Sequence, residues 1–160
     1  MLGVLKKIPN KILDIGYGNG DFLNACTNII NACHGNDISN YHVPNGCIKI
    51  DDIFKDNYDV VCFFDSLEHF EDIYIIKNLK TDYIFISVPW CHNFSEEWFT
   101  KWYHRRPNEH LWHFNEKSII NFFNELDYEC IYLDNFEDIV RKNTFIHPNK
   151  NILSCVFKKR

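Results

Sequence analysis

The stretch Ile12-Leu13-Asp14-Ile15-Gly16-Tyr17-Gly18-Asn19-Gly20-Asp21-Phe22-Leu23 decides the fold of this chain. It begins as an apolar run, passes through three glycines at alternating positions, and continues with apolar residues at helical spacing. This pattern predicts a buried strand, a tight turn and the start of a helix. Glycines permit positive φ angles and a close approach of a ligand to the backbone. The free N–H groups at the start of a helix attract negative or polar groups. The stretch therefore predicts a cradle for a polar or anionic part of a small molecule.

Composition and charge narrow the class of protein. The 160 residues suffice for a single domain spanning residues 1–160. The net charge of -5 argues against binding nucleic acid over a broad basic face. No apolar run approaches the roughly 20 residues of a membrane span, and the N-terminus lacks the pattern of a signal peptide. We therefore expect a cytoplasmic protein that does not enter a membrane.

The cysteines support the same compartment. There are seven, an odd number, no two are spaced as C-x-x-C, and most fall inside apolar runs. Such thiols are typical of reduced, buried cysteines in a cytosolic protein.

Strands alternate with helices along the rest of the chain. We predict strands at 11–15, 31–37, 47–50, 58–64, 83–88, 129–133 and 152–158. We predict helices at 21–30, at 67–79 with a break near 71–72, and at 118–126 with Asn115 as its cap; 136–142 is either a helix or an irregular excursion. Residues 39–46 form a loop. This alternation indicates an α/β sandwich around a mostly parallel sheet, in which ligands bind at the carboxyl ends of the strands.

The carboxylates near the glycines narrow the ligand. Asp37 follows the second predicted strand, where a carboxylate accepts hydrogen bonds from ribose hydroxyls. The third glycine of a G-x-G-x-x-G fingerprint would fall at position 21, which holds Asp21. Asp14 and Asp21 would repel a pyrophosphate but attract an amino group. This chemistry favours S-adenosylmethionine, which has a ribose, an adenine and an amino-acid end, over a nicotinamide dinucleotide, although an oxidoreductase stays open as an alternative.

Six segments, in order, resemble a known family. Residues 14–20 resemble motif I of the class I S-adenosylmethionine-dependent methyltransferases, and residues 36–39 resemble the acidic end of the family's second strand. Residues 51–54 resemble its adenine-contacting segment. Residues 58–70 resemble the fourth-strand motif of the small-molecule branch, which includes methyltransferase types 11 and 23. Residues 86–89 and 109–114 also recur in that branch, so the likeness extends from about residue 11 to residue 132.

The resemblance implies a fold and a departure from it. The expected fold is a Rossmann-like three-layer sandwich around a seven-stranded, mostly parallel sheet whose last strand is antiparallel. The lead-in before Lys11 is short, so the N-terminal cap over the cofactor is reduced. The loop at 39–46 also replaces much of the usual second helix. Both departures imply an open site, or one that a homodimer, a partner subunit or the acceptor completes.

The resemblance also implies the cofactor-binding residues. Asp14 would orient the methionine end, Asp37 would accept the ribose hydroxyls, and Asp51 or Asp52 would receive the adenine amino group. The alternatives are that Asp37 caps a helix and that Asp51 and Asp52 form a solvated turn. The full predicted set is Asp14, Gly16, Tyr17, Gly18, Gly20, Asp37, Ile38, Asp51, Asp52, Ile53, Phe64, Asp65 and Leu67.

Candidate catalytic residues are fewer. Methyl transfer needs a general base only when the acceptor must lose a proton. His69 and His110 are the candidates for that role, and packing or hydrogen bonding is the alternative for each. Glu68 is interpreted as the start of a helix, where a carboxylate complements the dipole. We predict no metal site, because His110 and His113 lack the cysteine pair that would complete a zinc site.

The aromatic and basic segment 90–113 is the candidate acceptor region. It is either a helix packed over the sheet edge or an aromatic lid in which Arg105 and Arg106 meet an anionic group of the acceptor. Aromatic residues beside arginines also suit single-stranded nucleic acid, which the acidic net charge disfavours. The overall hypothesis is a methyltransferase that acts on a small molecule. The alternative is a non-catalytic, cofactor-binding or partner subunit with a reduced fold.

Overall fold

A seven-stranded sheet forms the centre of the molecule. The computed structural model describes residues 2–141 and 151–160. The strands in that part of the chain are β1 Lys11–Ile15, β2 Ala32–Asn36, β3 Cys47–Lys49, β4 Asn57–Phe64, β5 Lys80–Pro89, β6 Tyr128–Asp134 and β7 Ile152–Lys159. Their order is β3-β2-β1-β4-β5-β7-β6. Only β7 runs against its two neighbours, β5 and β6. The predicted fold class, with its antiparallel last strand, is confirmed.

Strand residues alternate between two hydrophobic layers. In β1, Leu13 and Ile15 pack into one core cluster, whereas Ile12 packs into the other. In β4, Val61 and Val60 divide in the same way. Successive side chains of a strand point to opposite faces. Because both faces of these central strands are buried, the sheet is covered on both sides, as a three-layer sandwich requires.

Four α-helices lie in the described part of the chain. They are α1 Asp21–Cys26, α2 Glu96–Lys101, α3 Glu116–Glu125 and α4 Phe136–Val140. Asn115 caps α3 as predicted, because its side chain accepts a hydrogen bond from the Ser118 backbone N–H at 2.9 Å. α1 stops at Cys26, four residues before the predicted end.

The helical stretch predicted over 67–79, with its break near 71–72, is present as 3₁₀ rather than α-helix. Two 3₁₀ segments, Leu67–His69 and Ile73–Asn78, lie there, on either side of the break predicted near 71–72. The Asp72 side chain accepts a hydrogen bond from the Tyr74 backbone N–H at 2.8 Å, which begins the second segment. Side chains of this type compete with the helical backbone for its N–H groups. The consequence for the site is that His69 ends a short turn rather than projecting from a helix.

The remaining sequence-based expectations concern the cysteines, the loop at 39–46, the N-terminal lead-in and membrane-spanning helices. All seven cysteines are free, and five of them are buried. Residues 39–46 contain no helix, as predicted, and a single 3₁₀ turn at Leu2–Val4 lies in the short lead-in. Within the described ranges, none of the helices has the length and apolar character needed to span a bilayer.

Candidate functional site

The glycine turn after β1 forms one wall of a cleft. Gly16, Gly18 and Gly20 all have positive φ angles, of 82°, 54° and 82°. A Cβ on Gly16 would lie 2.5 Å from the Ser66 Cβ, and one on Gly20 would lie 2.8 Å from the Pro44 ring. A Cβ on Gly18 would meet no atom within 4 Å. Two of the glycines are therefore required by packing, whereas Gly18 faces open space that a ligand can approach.

Asp37 fastens the glycine turn to the end of β2. Its carboxylate accepts hydrogen bonds from the Gly18 backbone N–H at 2.8 Å and the Ser39 backbone N–H at 2.6 Å. Partial burial opposes ionisation, but the hydrogen bonds from Ser39 and Gly18 and the charge of Lys49 lower the pKa of Asp37 overall. Asp37 is therefore a charged acceptor at the carboxyl end of β2.

Two adjacent cavities meet at Gly16 and Gly18. The first, of about 830 Å³, extends from Asp14 and Phe64 to α4. The second, of about 610 Å³, lies between the end of β2 and the turn after β4. The predicted residues that line the first are Asp14, Gly16, Tyr17, Gly18 and Phe64. Those that line the second are Gly16, Gly18, Asp37, Ile38, Asp65 and His69.

Asp14 lies at the buried base of the first cavity. It is 2 % exposed, and its Oδ1 atom has no hydrogen-bond partner within the described residues. Burial, together with the charge of Asp37, raises the pKa of Asp14 to about 7. A buried carboxyl without a partner is energetically costly, so a cation or donor brought into this cavity would stabilise its charged form.

Five of the predicted cofactor-binding residues line neither cavity. Asp51 and Asp52 are exposed in the turn after β3, where the Asp52 side chain accepts a hydrogen bond from the Phe54 N–H at 2.9 Å. Ile53 and Leu67 are buried in the hydrophobic core, and Gly20 packs against Pro44. Their predicted contacts with a cofactor stay predictions.

Tyr17 and Ile38 differ in exposure. Tyr17 is buried, and its hydroxyl donates a hydrogen bond to the Tyr41 carbonyl at 2.6 Å. This bond holds the glycine turn against the loop at 39–46. The Ile38 side chain is fully exposed at the rim of the second cavity, where it is available to pack against a ring.

Arg141 is a cavity residue that the sequence analysis missed. Its guanidinium pairs with Asp65 at 2.6 Å and with Glu137 at 3.3 Å. Burial opposes its charge, but Asp65 and Glu137 raise the pKa of Arg141 overall. With Phe136 and Val140 it brings the end of α4 to the first cavity. No local sequence signal marks Arg141, because its position depends on how the chain after β6 packs over the sheet.

The two predicted catalytic histidines lie side by side. The ring centroids of His69 and His110 are 4.7 Å apart, with the ring planes at 87°. Two hydrogen bonds cause this, because the Leu111 and Trp112 backbone N–H groups donate to the Glu68 carbonyl at 2.8 and 3.2 Å. The His110 Nδ1 atom lies 2.8 Å from the His104 carbonyl oxygen. Burial lowers the pKa of His110.

Glu68 lies in the first turn of the 3₁₀ segment Leu67–His69, as predicted, but its side chain is buried beside this pair. It is 1 % exposed, and burial raises the pKa of its carboxyl to about 8. A ligand atom of Glu68, one of His69 and one of His110 all lie within 4.8 Å of one another. His113 lies apart from them and packs against Phe99, with ring centroids 5.0 Å apart.

The segment 90–113 forms a stacked aromatic ladder beside the cleft. His92 and Phe94 stack at 5.1 Å, and Trp98 and Trp102 stack at 5.3 Å. The Arg105 guanidinium lies 5.4 Å from the Phe99 ring centre. Arg106 lies 5.7 Å from the Tyr103 ring centre and pairs with Glu109 at 3.5 Å. These aromatic and arginine residues line neither of the two cavities, so the predicted role of Arg105 and Arg106 in binding an anionic acceptor stays a prediction.

Comparison with known proteins gives a family and a fold. Residues 2–133 match the family model described as "Methyltransferase domain". Among solved structures, an S-adenosylmethionine-dependent methyltransferase from Mesorhizobium loti has a TM-score of 0.68 at 14% identity, covering 98% of this chain and 94% of that one. Magnesium protoporphyrin IX methyltransferase from Synechocystis, solved with bound SAH, has a TM-score of 0.64 at 14% identity, covering 93% and 74%. A Haloferax volcanii chain solved in complex with the Trm112 methyltransferase activator has a TM-score of 0.67 at 14% identity, covering 93% and 82%. No curated protein sequence gives a significant match.

Proposed function

This chain belongs to the methyltransferase domain family, and from that premise we propose that it transfers a methyl group from S-adenosylmethionine to a small-molecule acceptor. The observation that carries the proposal is the buried, unpartnered carboxyl of Asp14 beside the open face of Gly18. A ligand that carries a positive charge and can lie close to the backbone at Gly18 fits that combination. S-Adenosylmethionine, when bound, supplies a methyl group already activated on a sulfonium.

The first cavity suits the amino-acid end of the cofactor. Asp14 in this cavity, and Asp65, which lines the second cavity and pairs with Arg141, offer carboxylates to an ammonium group, and Arg141 offers a guanidinium to a carboxylate. The paired charges of Asp65 and Arg141 match a zwitterion, because each charge finds its opposite in the ligand. Phe22 and Phe64, which are in edge contact at 4.8 Å, form the apolar side of the same cavity.

The second cavity suits the adenosine. Asp37 keeps lone pairs free beyond its bonds to Gly18 and Ser39, and a carboxylate accepts several hydrogen bonds. Ile38 offers an exposed apolar side chain to the adenine. Asp51 or Asp52 would receive the adenine amino group, as the resemblance predicts. The Asn36 side-chain amide donates to the Ile50 carbonyl at 2.9 Å, which holds their turn against the end of β2.

The acceptor would enter beside His69. His69 is exposed and lines the second cavity next to Asp65, so its imidazole is placed to take a proton from an acceptor hydroxyl or amine. We assign His110 the role of supporting His69, because it is buried against the His69 ring.

Calorimetric titration with S-adenosylmethionine tests the cofactor assignment. The wild-type chain should bind one equivalent, and Asp37→Ala should weaken binding by roughly 1–3 kcal/mol, the scale of lost hydrogen bonds to a charged group. Asp82→Ala, which removes an exposed aspartate at the other end of the sheet, is the matched control and should not change the affinity. Absence of binding by a folded wild-type chain would overturn the proposal.

Labelled cofactor tests the acceptor class. The chain is incubated with cofactor carrying a labelled methyl group and with separated metabolite, RNA and protein fractions of a cell extract. Label in the metabolite fraction supports the proposal, and label only in RNA or protein contradicts the small-molecule acceptor. Binding without any transfer would favour the alternative of a non-catalytic partner subunit, for which the helix-free loop at 39–46 is the structural argument.

A further inference from the structure

Glu68, His69 and His110 form a cluster of metal-ligating side chains at the mouth of the cleft. A nitrogen from each imidazole and a carboxylate oxygen lie within 4.8 Å of one another. The cluster is built from two chain segments that the hydrogen bonds from Leu111 and Trp112 to the Glu68 carbonyl hold together. A third bond, from the Trp112 indole N–H to the Phe70 carbonyl at 2.7 Å, fixes the same contact.

The Glu68 carboxylate lacks what a buried carboxylate normally has. It is 1 % exposed, and across residues 2–141 and 151–160 neither of its Oε atoms has a hydrogen-bond partner. Buried carboxylates are normally hydrogen-bonded, paired with a cation or bound to a metal. Both Oε atoms are therefore available to a ligand, and one of them lies within 4.8 Å of a ring nitrogen of His69 and of His110.

The His110 imidazole is already oriented for ligation. Its Nδ1 atom lies 2.8 Å from the His104 carbonyl oxygen, so in the neutral ring Nδ1–H donates that bond and Nε2 carries the free lone pair. Metal-binding histidines are commonly held this way, with one ring nitrogen on a backbone carbonyl and the other on the metal.

From these three observations we propose that Glu68, His69 and His110 bind a divalent first-row transition metal ion. Two imidazole nitrogens and one carboxylate oxygen are the ligand types that such ions favour over Mg²⁺ or Ca²⁺, which prefer all-oxygen sites. No cysteine takes part, so the site is not a structural thiolate site.

The distances allow ligation after a small side-chain movement. Metal–ligand bonds of about 2.1 Å place neighbouring ligand atoms roughly 3–3.5 Å apart. The observed upper limit of 4.8 Å must therefore shrink by about an ångström or more. Rotation of His69, the exposed member, can supply this movement without disturbing the core.

The position of the site gives the ion a role that rests on the proposed function. His69 lines the cavity that also contains Asp37 and Asp65. Three protein ligands leave coordination positions open, and an oxygen of the acceptor can occupy one of them. With the ion bound, His69 would serve as a ligand and not as the base. The ion would instead make a hydroxyl held there more acidic, so that its proton passes to solvent water, and would orient it toward the cofactor cavity. The acceptor class that fits is a small molecule with a hydroxyl or carboxylate oxygen.

Titration with Co²⁺ tests the site without cofactor or acceptor. The wild-type chain should bind one equivalent, with weak visible absorption bands and no intense near-ultraviolet band of a cobalt–thiolate bond. His69→Gln and Glu68→Gln should each weaken binding by about tenfold or more. His42→Gln, which changes an exposed histidine in the loop at 39–46, is the matched control and should bind like the wild type.

Each remaining outcome would overturn the proposal. These outcomes are no Co²⁺ binding by the folded wild type, unchanged binding by His69→Gln, and a thiolate band that reveals ligation by cysteine. Because His69 is exposed, its substitution should leave the fold intact, which circular dichroism checks. A Co²⁺ site in a chain that fails to bind S-adenosylmethionine would refute the proposed function but not the metal site, and the reverse result would refute only the metal site.

Discussion

Replacing Asp14 by asparagine should stabilise the fold, and more so as the pH rises. Asp14 is 2 % exposed, and burial with the charge of Asp37 raises its pKa from an ordinary value near 3.8 to about 7. Between these two values the folded chain holds a proton that the unfolded chain has released. The free energy of unfolding of the wild type therefore falls as the pH rises through this range, and above about pH 7 the loss caused by the charged carboxyl is essentially complete. Asparagine has nearly the same shape and does not titrate.

The size of the effect follows from the pKa values. One pKa unit corresponds to about 1.4 kcal/mol, so the ionised carboxyl lowers the free energy of unfolding by roughly 4 kcal/mol at about pH 8. At about pH 5, where folded Asp14 is protonated, the corresponding loss is roughly 1.5 kcal/mol. The stability difference between Asp14→Asn and the wild type should therefore grow by roughly 2.5 kcal/mol between these pH values. Any hydrogen bond that the new amide lacks contributes equally at both.

Urea unfolding at both pH values measures this difference. Comparing variant with wild type at each pH cancels the titrating groups that do not interact with Asp14. Asp82→Asn makes the same chemical change at an exposed position and is the matched control. A flat difference for Asp14→Asn would refute the reasoning that Asp14 is a buried carboxyl without a partner. The same variant should bind S-adenosylmethionine more weakly at about pH 8, and the increase of wild-type affinity with pH should disappear.

Four further substitutions follow from the geometry. Gly18→Ala should fold, with a stability loss of about 1–2 kcal/mol from the positive φ. In calorimetry it should bind S-adenosylmethionine at least several-fold more weakly, because the new Cβ occupies the space through which the ligand approaches. Gly16→Ala, whose Cβ would clash with Ser66, should instead lower the melting temperature strongly. Arg141→Gln should weaken S-adenosylhomocysteine binding several-fold while leaving 5′-methylthioadenosine, which lacks the amino-acid end, unaffected; equal losses for both would contradict the assignment of the first cavity. Phe123→Ala should cost about 3–5 kcal/mol in urea unfolding, because Phe123 is fully buried and stacks on Phe157 at 4.0 Å.

Sequence reasoning reached those parts of the site that local pattern determines. The glycine turn and Asp37 each follow a predicted strand directly, so their place at the sheet edge could be predicted from parallel topology. Asn115 could be predicted as a helix cap because capping is a local hydrogen-bond pattern that a short stretch of sequence determines. The loop at 39–46 was evident from its proline, asparagine and glycine.

The remainder depended on tertiary packing. The helical stretch predicted at 67–79 consists of two 3₁₀ segments, and the second begins where the Asp72 side chain accepts a hydrogen bond from the Tyr74 backbone N–H. Arg141 reaches Asp65 only through the path of the chain after β6. Glu68 was interpreted only as a helix-start residue. Nothing in the sequence shows that the backbone N–H groups of Leu111 and Trp112 donate hydrogen bonds to its carbonyl. These two hydrogen bonds join distant parts of the chain and bring His110 beside His69.

The turn after β4 is shared by both halves of the cleft, and this has a thermodynamic consequence. Ser66 donates from its hydroxyl to the Ile15 carbonyl at 2.6 Å and packs against Gly16, so it braces the cofactor loop. Its chain neighbours are Asp65, which pairs with Arg141, and the segment that carries Glu68 and His69. A ligand that orders either half therefore orders the peptide on which the other half depends. By reciprocity, an ion at the histidines that tightens cofactor binding by some factor must itself be held more tightly, by the same factor, when the cofactor is bound.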